Sequence, residues 1–220
     1  MSRPHQRLMV FARTPERGRV KTRLAAELGD DATLSFHEAC IREVTARHRQ
    51  TSRSLVVYAA GDVEHPFWST LSPAPETLEA QRGSTLGERL QAAFEHELKT
   101  YRHVVVLGTD SPHLPTSLVD RAFEALTEAP VVLGPAEDGG YYLLGLAGTC
   151  PPIFGIDTWG TDRVLSDTIS ALDRHSIRYH LMPTTFDVDW ARDLVRLRLE
   201  LQTQPEGPVE RWFASQENLR

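Results

Sequence analysis

The chain has 220 residues, 40% of them hydrophobic and 25% charged, with a formal net charge of −6. That length suits one globular domain with a substantial core, and the composition argues against a disordered or fibrous chain. The acidic balance argues against a general nucleic-acid binder, which needs a broad basic surface.

In chain order, Leu8-Met9-Val10-Phe11-Ala12 reads as the first strand. This apolar run is too short for a signal-peptide core or a membrane span. Cys40 and Cys150 lie far apart with no C-x-x-C spacing, so a reducing compartment and no disulfide framework are expected. The expected location is therefore cytoplasmic, with no membrane partner.

The first strand leads directly into residues 13–23, Arg-Thr-Pro-Glu-Arg-Gly-Arg-Val-Lys-Thr-Arg, with five basic residues and one acid. A Pro- and Gly-broken basic loop leaving a first strand suits an anionic phosphate. A solvated basic loop is the competing reading. Of the 24 basic residues only Lys21 and Lys99 are lysines, so Lys21 points to a need for a compact ammonium.

Further along, residues 33–50 read as a helix and 55–60 as a strand. Residues 73–76 read as a surface loop. The stretch from Gln81 to Arg89 leads from a short strand into a helix over 86–99, with Leu86, Leu90, Ala93, Phe94 and Leu98 on one face. A strand over 104–108, a helix over 116–126 and strands over 131–134 and 141–146 follow. Helices over 161–172 and 191–201 come next, then a linker over 202–208 and a short terminal helix bearing Trp212 and Phe213. Unbroken Val/Leu runs indicate strands buried on both faces, and the strand–helix alternation predicts an α/β fold with a mostly parallel sheet. The expected division is a domain over 1–204 and an extension over 205–220, with Trp212 and Phe213 packing on the domain or on a second subunit.

Ligands of open α/β sheets collect at the carboxyl ends of strands. Asp110 stands there, just past the 104–108 run and before Ser111-Pro112. It suits a metal or substrate, or else a turn. Asp187 and Asp189 flank Val188; in an extended segment they share a face and could approach one ion, or Asp189 could cap the helix at 191. Which of the two is a ligand stays open. Asp138-Gly139-Gly140 permits a tight turn and close backbone approach, as a hairpin that also lines a pocket, with Tyr141 and Tyr142 beside it. Arg82 and the Gly83 amide could touch a nucleotide, and the Trp159–Arg163 stretch could cap a helix and close over an acceptor. His37 and His113 are the histidines to watch, His37 reading as surface or packing. A Walker loop is missing, because Gly18 precedes Lys21 by only three residues. The chain also lacks G-x-G-x-x-G, H-E-x-x-H and G-x-S-x-G patterns.

Four motifs occur in order: the 11–24 stretch, Gly108-Thr-Asp-Ser-Pro, Gly134-Pro-Ala-Glu-Asp-Gly-Gly-Tyr-Tyr-Leu and Trp159-Gly-Thr-Asp-Arg-Val. Together they resemble a bacterial glycosyltransferase-like family related to phospholactate guanylyltransferase, some members of which are assigned to arsenosugar biosynthesis. The resemblance spans residues 7–200. It implies a GT-A-like fold of the nucleotide-diphospho-sugar transferases: a Rossmann-type three-layer sandwich with a mostly parallel sheet and one antiparallel strand. It places nucleotide on the 13–23 loop and a divalent ion, Mg²⁺ or Mn²⁺, on Asp110, with Asp187 matching a second metal-site acid. Glycosyltransferases of this fold show D-x-D where this chain reads Gly108-Thr109-Asp110. The single Asp leans toward nucleotidyl transfer and the family toward glycosyl transfer; fold alone does not decide.

The combined expectation is a metal-dependent transferase using a nucleotide-sugar or nucleoside triphosphate donor and a small-molecule acceptor. Lys21 and Asp110 are its catalytic candidates. Arg13, Gly18, Lys21, Arg23, Arg82, Gly83, Asp138, Gly139, Gly140 and Trp159 are its binding candidates, and Asp110 and Asp187 its metal ligands. The competing class is a non-catalytic nucleotide-binding or partner protein on the same fold.

Overall fold

The computed structural model describes residues 5–49, 53–149, 151–204 and 206–216. Gln50, Cys150 and Pro205 fall outside them, as do 217–220 of the expected extension.

Seven strands form one sheet: β1 (Gln6–Arg13), β2 (Ser54–Ala60), β3 (Thr77–Ala80), β4 (His103–Leu107), β5 (Val131–Pro135), β6 (Tyr141–Ala147) and β7 (Tyr179–Leu181). Their order is β3-β2-β1-β4-β6-β5-β7. β6 runs antiparallel to both neighbours, β4 and β5, and every other pairing is parallel. The expected α/β sheet with one antiparallel strand is what forms. Every residue of β4 and β5 is buried, as their unbroken apolar runs require.

Alternation along β1 divides its side chains between two cores. Leu8, Val10 and Ala12 face Ile41 and Val44 of α2 (Asp30–Arg49) and Val119 and Phe123 of α4 (Thr116–Ala125). Met9 faces Leu90 and Phe94 of α3 (Leu86–Glu97) and Leu172 of α5 (Val164–Arg174). Two helical layers around a central sheet result. A third core joins Leu24 of α1 (Thr22–Leu28), Phe36 of α2, Leu194 and Leu197 of α6 (Ala191–Leu201) and Trp212 of α7 (Pro208–Ser215). Trp212 therefore packs within this chain, its ring centroid 4.7 Å from that of Phe36.

Several boundaries differ from the sequence reading. α1 begins at Thr22, in the last two residues of the expected basic loop, and α2 starts at Asp30 rather than 33, directly after the α1 cap Gly29. α5 starts at Val164 rather than 161, because Thr161 closes a turn by donating its hydroxyl to the Thr158 carbonyl. The short strand β7 and a 3-10 helix over Pro66–Thr70 were not anticipated.

The strand order reverses between β1 and β4, so a crevice opens at their carboxyl ends, where Arg13 and Asp110 stand.

Candidate active site

Past β1 the Thr14 amide donates to the Ala60 carbonyl at 3.0 Å, pinning the loop to the end of β2. Gly18 takes the positive φ of a tight turn, and the Arg19 amide closes it onto the Glu16 carbonyl at 3.0 Å. Lys21 caps α1 in the left-handed region, φ 41° and ψ 52°. An L-residue pays about 1–2 kcal/mol for that conformation, which persists only where the surroundings fix it. The surroundings do: the Lys21 side chain is 4% exposed. Its ammonium donates to Asp110 Oδ1 at 2.5 Å and to the Val188 carbonyl at 2.8 Å, with Asp189 Oδ1 at 3.9 Å. The Phe36 ring lies 6.0 Å away. Burial alone would lower the Lys21 pKa; the Asp110 charge more than offsets this and raises it, so the ammonium stays charged.

The +4 of the loop is mostly answered by carboxylates. Arg17 pairs with Asp30 and Asp31, Arg19 with Glu16, and Arg23 with Asp189. Among the described residues Arg13 alone of the five has no carboxylate partner; its guanidinium reaches only the Arg19 carbonyl, at 3.4 Å. His37 lies beneath it, Nε2 2.9 Å from the Arg13 carbonyl, and burial pushes its pKa down.

The acids converge from two segments. Asp110 follows β4, and its side chain keeps 51% of its surface open. Desolvation in the cleft would raise its pKa, but Lys21 holds it below the usual carboxylate range. The Val188 amide donates to the Asp110 carbonyl at 2.9 Å, which brings residues 187–189 alongside. Asp187 accepts a hydrogen bond from Ser111 Oγ. Burial and the facing Asp110 charge push its pKa up to about 7. Asp189 is also raised, by burial first and by Asp110, against the pull of Lys21 and Arg23. The Asp138 charge reaches both.

The 187–189 segment is not a strand; just before it, Thr185 forms an isolated bridge with Ala136, and its amide donates to the Pro135 carbonyl at the end of β5 at 3.1 Å. Nor does Asp189 cap α6. The Asp193 carboxylate does that, accepting from the Asp189 and Trp190 amides at 3.0 and 2.8 Å. Among the described residues no group of three or more His, Cys, Asp or Glu is set to hold an ion. Asp110 and Asp187 feel each other's charge, and Asp189 rather than Asp187 lines the recess beside Asp110; carboxylates are the oxygen donors a hard ion takes when it completes its shell with phosphate and water.

Three adjoining recesses make up the cleft, and Arg13 lines all of them. One, about 320 Å³, holds Lys21, Arg23, His37, Asp110 and Asp189. A second, about 270 Å³, holds Thr14, Arg19, Gln81 and Arg89. The third, about 340 Å³, has an apolar floor of Phe11, Leu90, Val106 and Leu143, with Gln81, Arg89 and Asp110 at its edge.

The remaining candidates lie elsewhere or play packing parts. Arg82 faces a separate groove with Glu79, Glu95 and Lys99, because it precedes the Thr85 cap of α3. Gly83 packs against the Glu88–Arg89 backbone, and its carbonyl accepts from Arg89 Nε at 2.9 Å. Trp159 stacks on Phe154, meets Tyr141 edge-on and donates Nε1 to the Phe154 carbonyl at 3.1 Å. Asp138 folds back onto the Gly140 amide at 2.9 Å in a local turn. Gly139 lies so close to the Asp162 carbonyl that a Cβ would overlap it, so the 138–140 turn and the 159–163 loop are packed together. His113 stacks on Phe186 behind the site. Within the 81–89 stretch the sequence reading singled out Arg82, whereas Gln81 and Arg89 are the side chains that line the cleft. The helical face through Leu86 and Leu90 carries the signal for Arg89, one turn on from Leu86.

This architecture is that of nucleotide-diphospho-sugar transferases and nucleotidyltransferases. The chain belongs to the family described as "Uncharacterized protein conserved in bacteria (DUF2064)", which matches residues 40–161. No curated protein matches it. A Desulfovibrio desulfuricans G20 protein, provisionally named a nucleotide-diphospho-sugar transferase, is 28% identical with a TM-score of 0.90, over 98% of this chain and 96% of that one. CMP:2-keto-3-deoxy-manno-octonic acid synthetase, solved with CTP, is 11% identical with a TM-score of 0.58, over 91% and 100%. Molybdopterin-guanine dinucleotide biosynthesis protein A from Archaeoglobus fulgidus is 13% identical with a TM-score of 0.57, over 90% and 100%. At these last two identities the likeness is one of fold.

Proposed function

We propose that this protein is a divalent-metal-dependent transferase whose donor is a nucleoside triphosphate or a nucleotide-sugar. The observation that carries this reading is the meeting of Lys21, Asp110 and Asp187 at the sheet's reversal point, beside an arginine-lined cleft. Asp110 and Asp187 would hold Mg²⁺ or Mn²⁺. Once bound, the ion would supply positive charge to the donor phosphates and the leaving group. The chain's own part is positioning and charge. Lys21 keeps Asp110 ionised and fixes it against the 187–189 segment. Arg13 faces the donor from the end of β1, with Gly18 and Arg23 shaping the same loop. The Asp138–Gly140 turn, braced by the 159–163 loop, walls the acceptor side.

A single Asp110 in place of D-x-D leans toward nucleotidyl transfer within this class, and the family resemblance leans toward glycosyl transfer; the released product separates the two. Pyrophosphate as product means nucleotidyl transfer; a nucleoside diphosphate means glycosyl transfer. Among the described residues no helix is long and apolar enough to cross a membrane. We take the protein as cytoplasmic.

The test is a thermal-shift panel of nucleoside triphosphates and nucleotide-sugars with Mg²⁺, Mn²⁺ or EDTA, on wild type, Asp110→Asn and Asp187→Asn. A ligand bound to the native state raises the melting temperature by mass action. The expected result is a metal-dependent rise that both variants lose. A rise that survives chelation, without turnover, marks a non-catalytic nucleotide-binding protein. No rise with any nucleotide overturns the proposal.

A further inference from the structure

We infer that Arg89, acting with Arg13, grips the anionic phosphates of the donor. This rests on the transferase reading and deepens it, since it narrows the phosphate grip to Arg13 among the cations of the first loop and adds Arg89 from α3.

The argument begins with which cations are committed. Lys21 is buried against Asp110, and Arg17, Arg19 and Arg23 each pair with a carboxylate. A phosphate would have to displace those partners. Arg13 and Arg89 have none within ion-pair distance among the described residues. Both line the recess of about 270 Å³ at the ends of β1 and β2, and both also line the apolar-floored recess next to it. The one acid in the first of these, Glu16, already meets Arg19 at 3.0 Å. Among the described residues Arg13 feels the Asp110 charge but forms no ion pair, and Arg89 forms none, so a phosphate chain with oxygens for both guanidiniums would answer them.

Arg89 is also held in place for the role. The Thr85 hydroxyl accepts from the Glu88 amide while Glu88 answers the Thr85 amide, which fixes the first turn of α3. The Arg89 Nε bond to the Gly83 carbonyl then aims the side chain and leaves its two terminal nitrogens for a ligand. A planar fork held at Nε is suited to anionic oxygens.

The test uses the full chain and two probes, inorganic tripolyphosphate and the nucleoside triphosphate that gives the largest melting-temperature rise. Binding is measured by calorimetry for wild type, Arg89→Gln, Arg89→Lys and, as a control on another face, Arg82→Gln. The expected result is at least a tenfold affinity loss for both probes in Arg89→Gln, a smaller loss in Arg89→Lys and none in Arg82→Gln. Unliganded melting temperatures confirm that the variants fold. Should Arg89→Gln fold poorly, Arg89→Lys carries the test, and wild-type affinity in it overturns the inference.

Equal affinity of wild type and Arg89→Gln, with nucleotide binding still dependent on Asp110, overturns the Arg89 assignment and leaves the transferase reading standing. Loss of nucleotide affinity with unchanged tripolyphosphate affinity places Arg89 on the base and also overturns it. A wild type that binds neither probe overturns the Arg89 assignment, and one that binds no nucleotide-sugar either overturns both readings.

Discussion

Lys21 and Asp110 form an ion pair with two unlike ends: the Lys21 side chain is 4% exposed and the Asp110 side chain 51%. The cost of breaking the pair therefore depends on which partner is removed. Asp110→Asn leaves a buried ammonium with neutral oxygens beside it, the new amide oxygen and the Val188 carbonyl, and only the more distant Asp189 charge, a poorly compensated buried charge that costs about 3 kcal/mol. Lys21→Met leaves a carboxylate that water can reach and costs about 1–2 kcal/mol. Urea unfolding checks the order, and the double variant should recover part of the Asp110→Asn loss. Equal losses in the two single variants would show that the pair is not asymmetric. Because Lys21 titrates high and Asp110 low, this pair leaves stability flat between about pH 4 and 10.

Asp187 behaves differently. Its folded pKa, pushed up to about 7, lies above the ordinary 3.8, so the folded state holds a proton that the unfolded chain has released. Its contribution to stability falls as pH climbs from about 4 to 7 and levels off above that. Buried His48 and His113, pushed down to about 4, act with the opposite sign over much of the same window. The readout is therefore the difference between wild type and Asp187→Asn: the variant should gain stability relative to wild type as pH rises to about 7. Metal-supported nucleotide binding should weaken below about pH 7, since the ion must displace that proton. A pH-independent difference in melting temperature would remove Asp187 from the charge cluster.

The packing of the 138–140 turn on the 159–163 loop predicts two stability effects. Gly139 has φ +89°, and a Cβ there would overlap the Asp162 carbonyl, so Gly139→Ala should cost about 2–3 kcal/mol. A Cβ at Gly87 would strike the Trp159 indole, so Gly87→Ala should displace Trp159 and cost a similar amount. Thermal melts of the two variants measure this. Wild-type stability in both would show that the loops are not braced against each other.

Helix α7 predicts an effect at a distance. Trp212 packs on Phe36, whose ring also lies near the Lys21 ammonium, and Trp212 Nε1 donates to Ser35 Oγ at 2.9 Å. Trp212→Ala should cost about 3 kcal/mol by emptying the third core. It should also weaken nucleotide binding if Lys21 shifts with Phe36. Unchanged binding in a folded Trp212→Ala protein would separate α7 from the site.

Much of the fold was legible because it is written in local pattern. β1, β2, β4, β5 and β6 are apolar runs bounded by turn residues, and α3 and α6 show their faces in sequence. β7 was not legible, because Tyr-His-Leu is only three residues long and has a histidine at its centre. α1 was hidden because its cap is a lysine in the left-handed region, which no turn rule anticipates. The charge of the first loop was only partly legible, for a physical reason. Its counter-ions Asp30, Asp31, Asp110 and Asp189 reach it through the tertiary fold, so a local count of +4 overstates what a ligand would meet. The difference between Arg82 and Arg89 was readable in principle, since the Thr85 cap fixes which residues share the Leu86 face.

The most direct test of the account is Mn²⁺ binding, followed by paramagnetic resonance, in the presence of the best-bound nucleotide. Wild type, Asp110→Asn, Asp187→Asn and Arg82→Gln are compared near pH 8, well above the Asp187 titration. The account predicts tight Mn²⁺ binding in wild type and Arg82→Gln, weakened at least tenfold in each Asp variant. Mn²⁺ bound equally by all four proteins would contradict it.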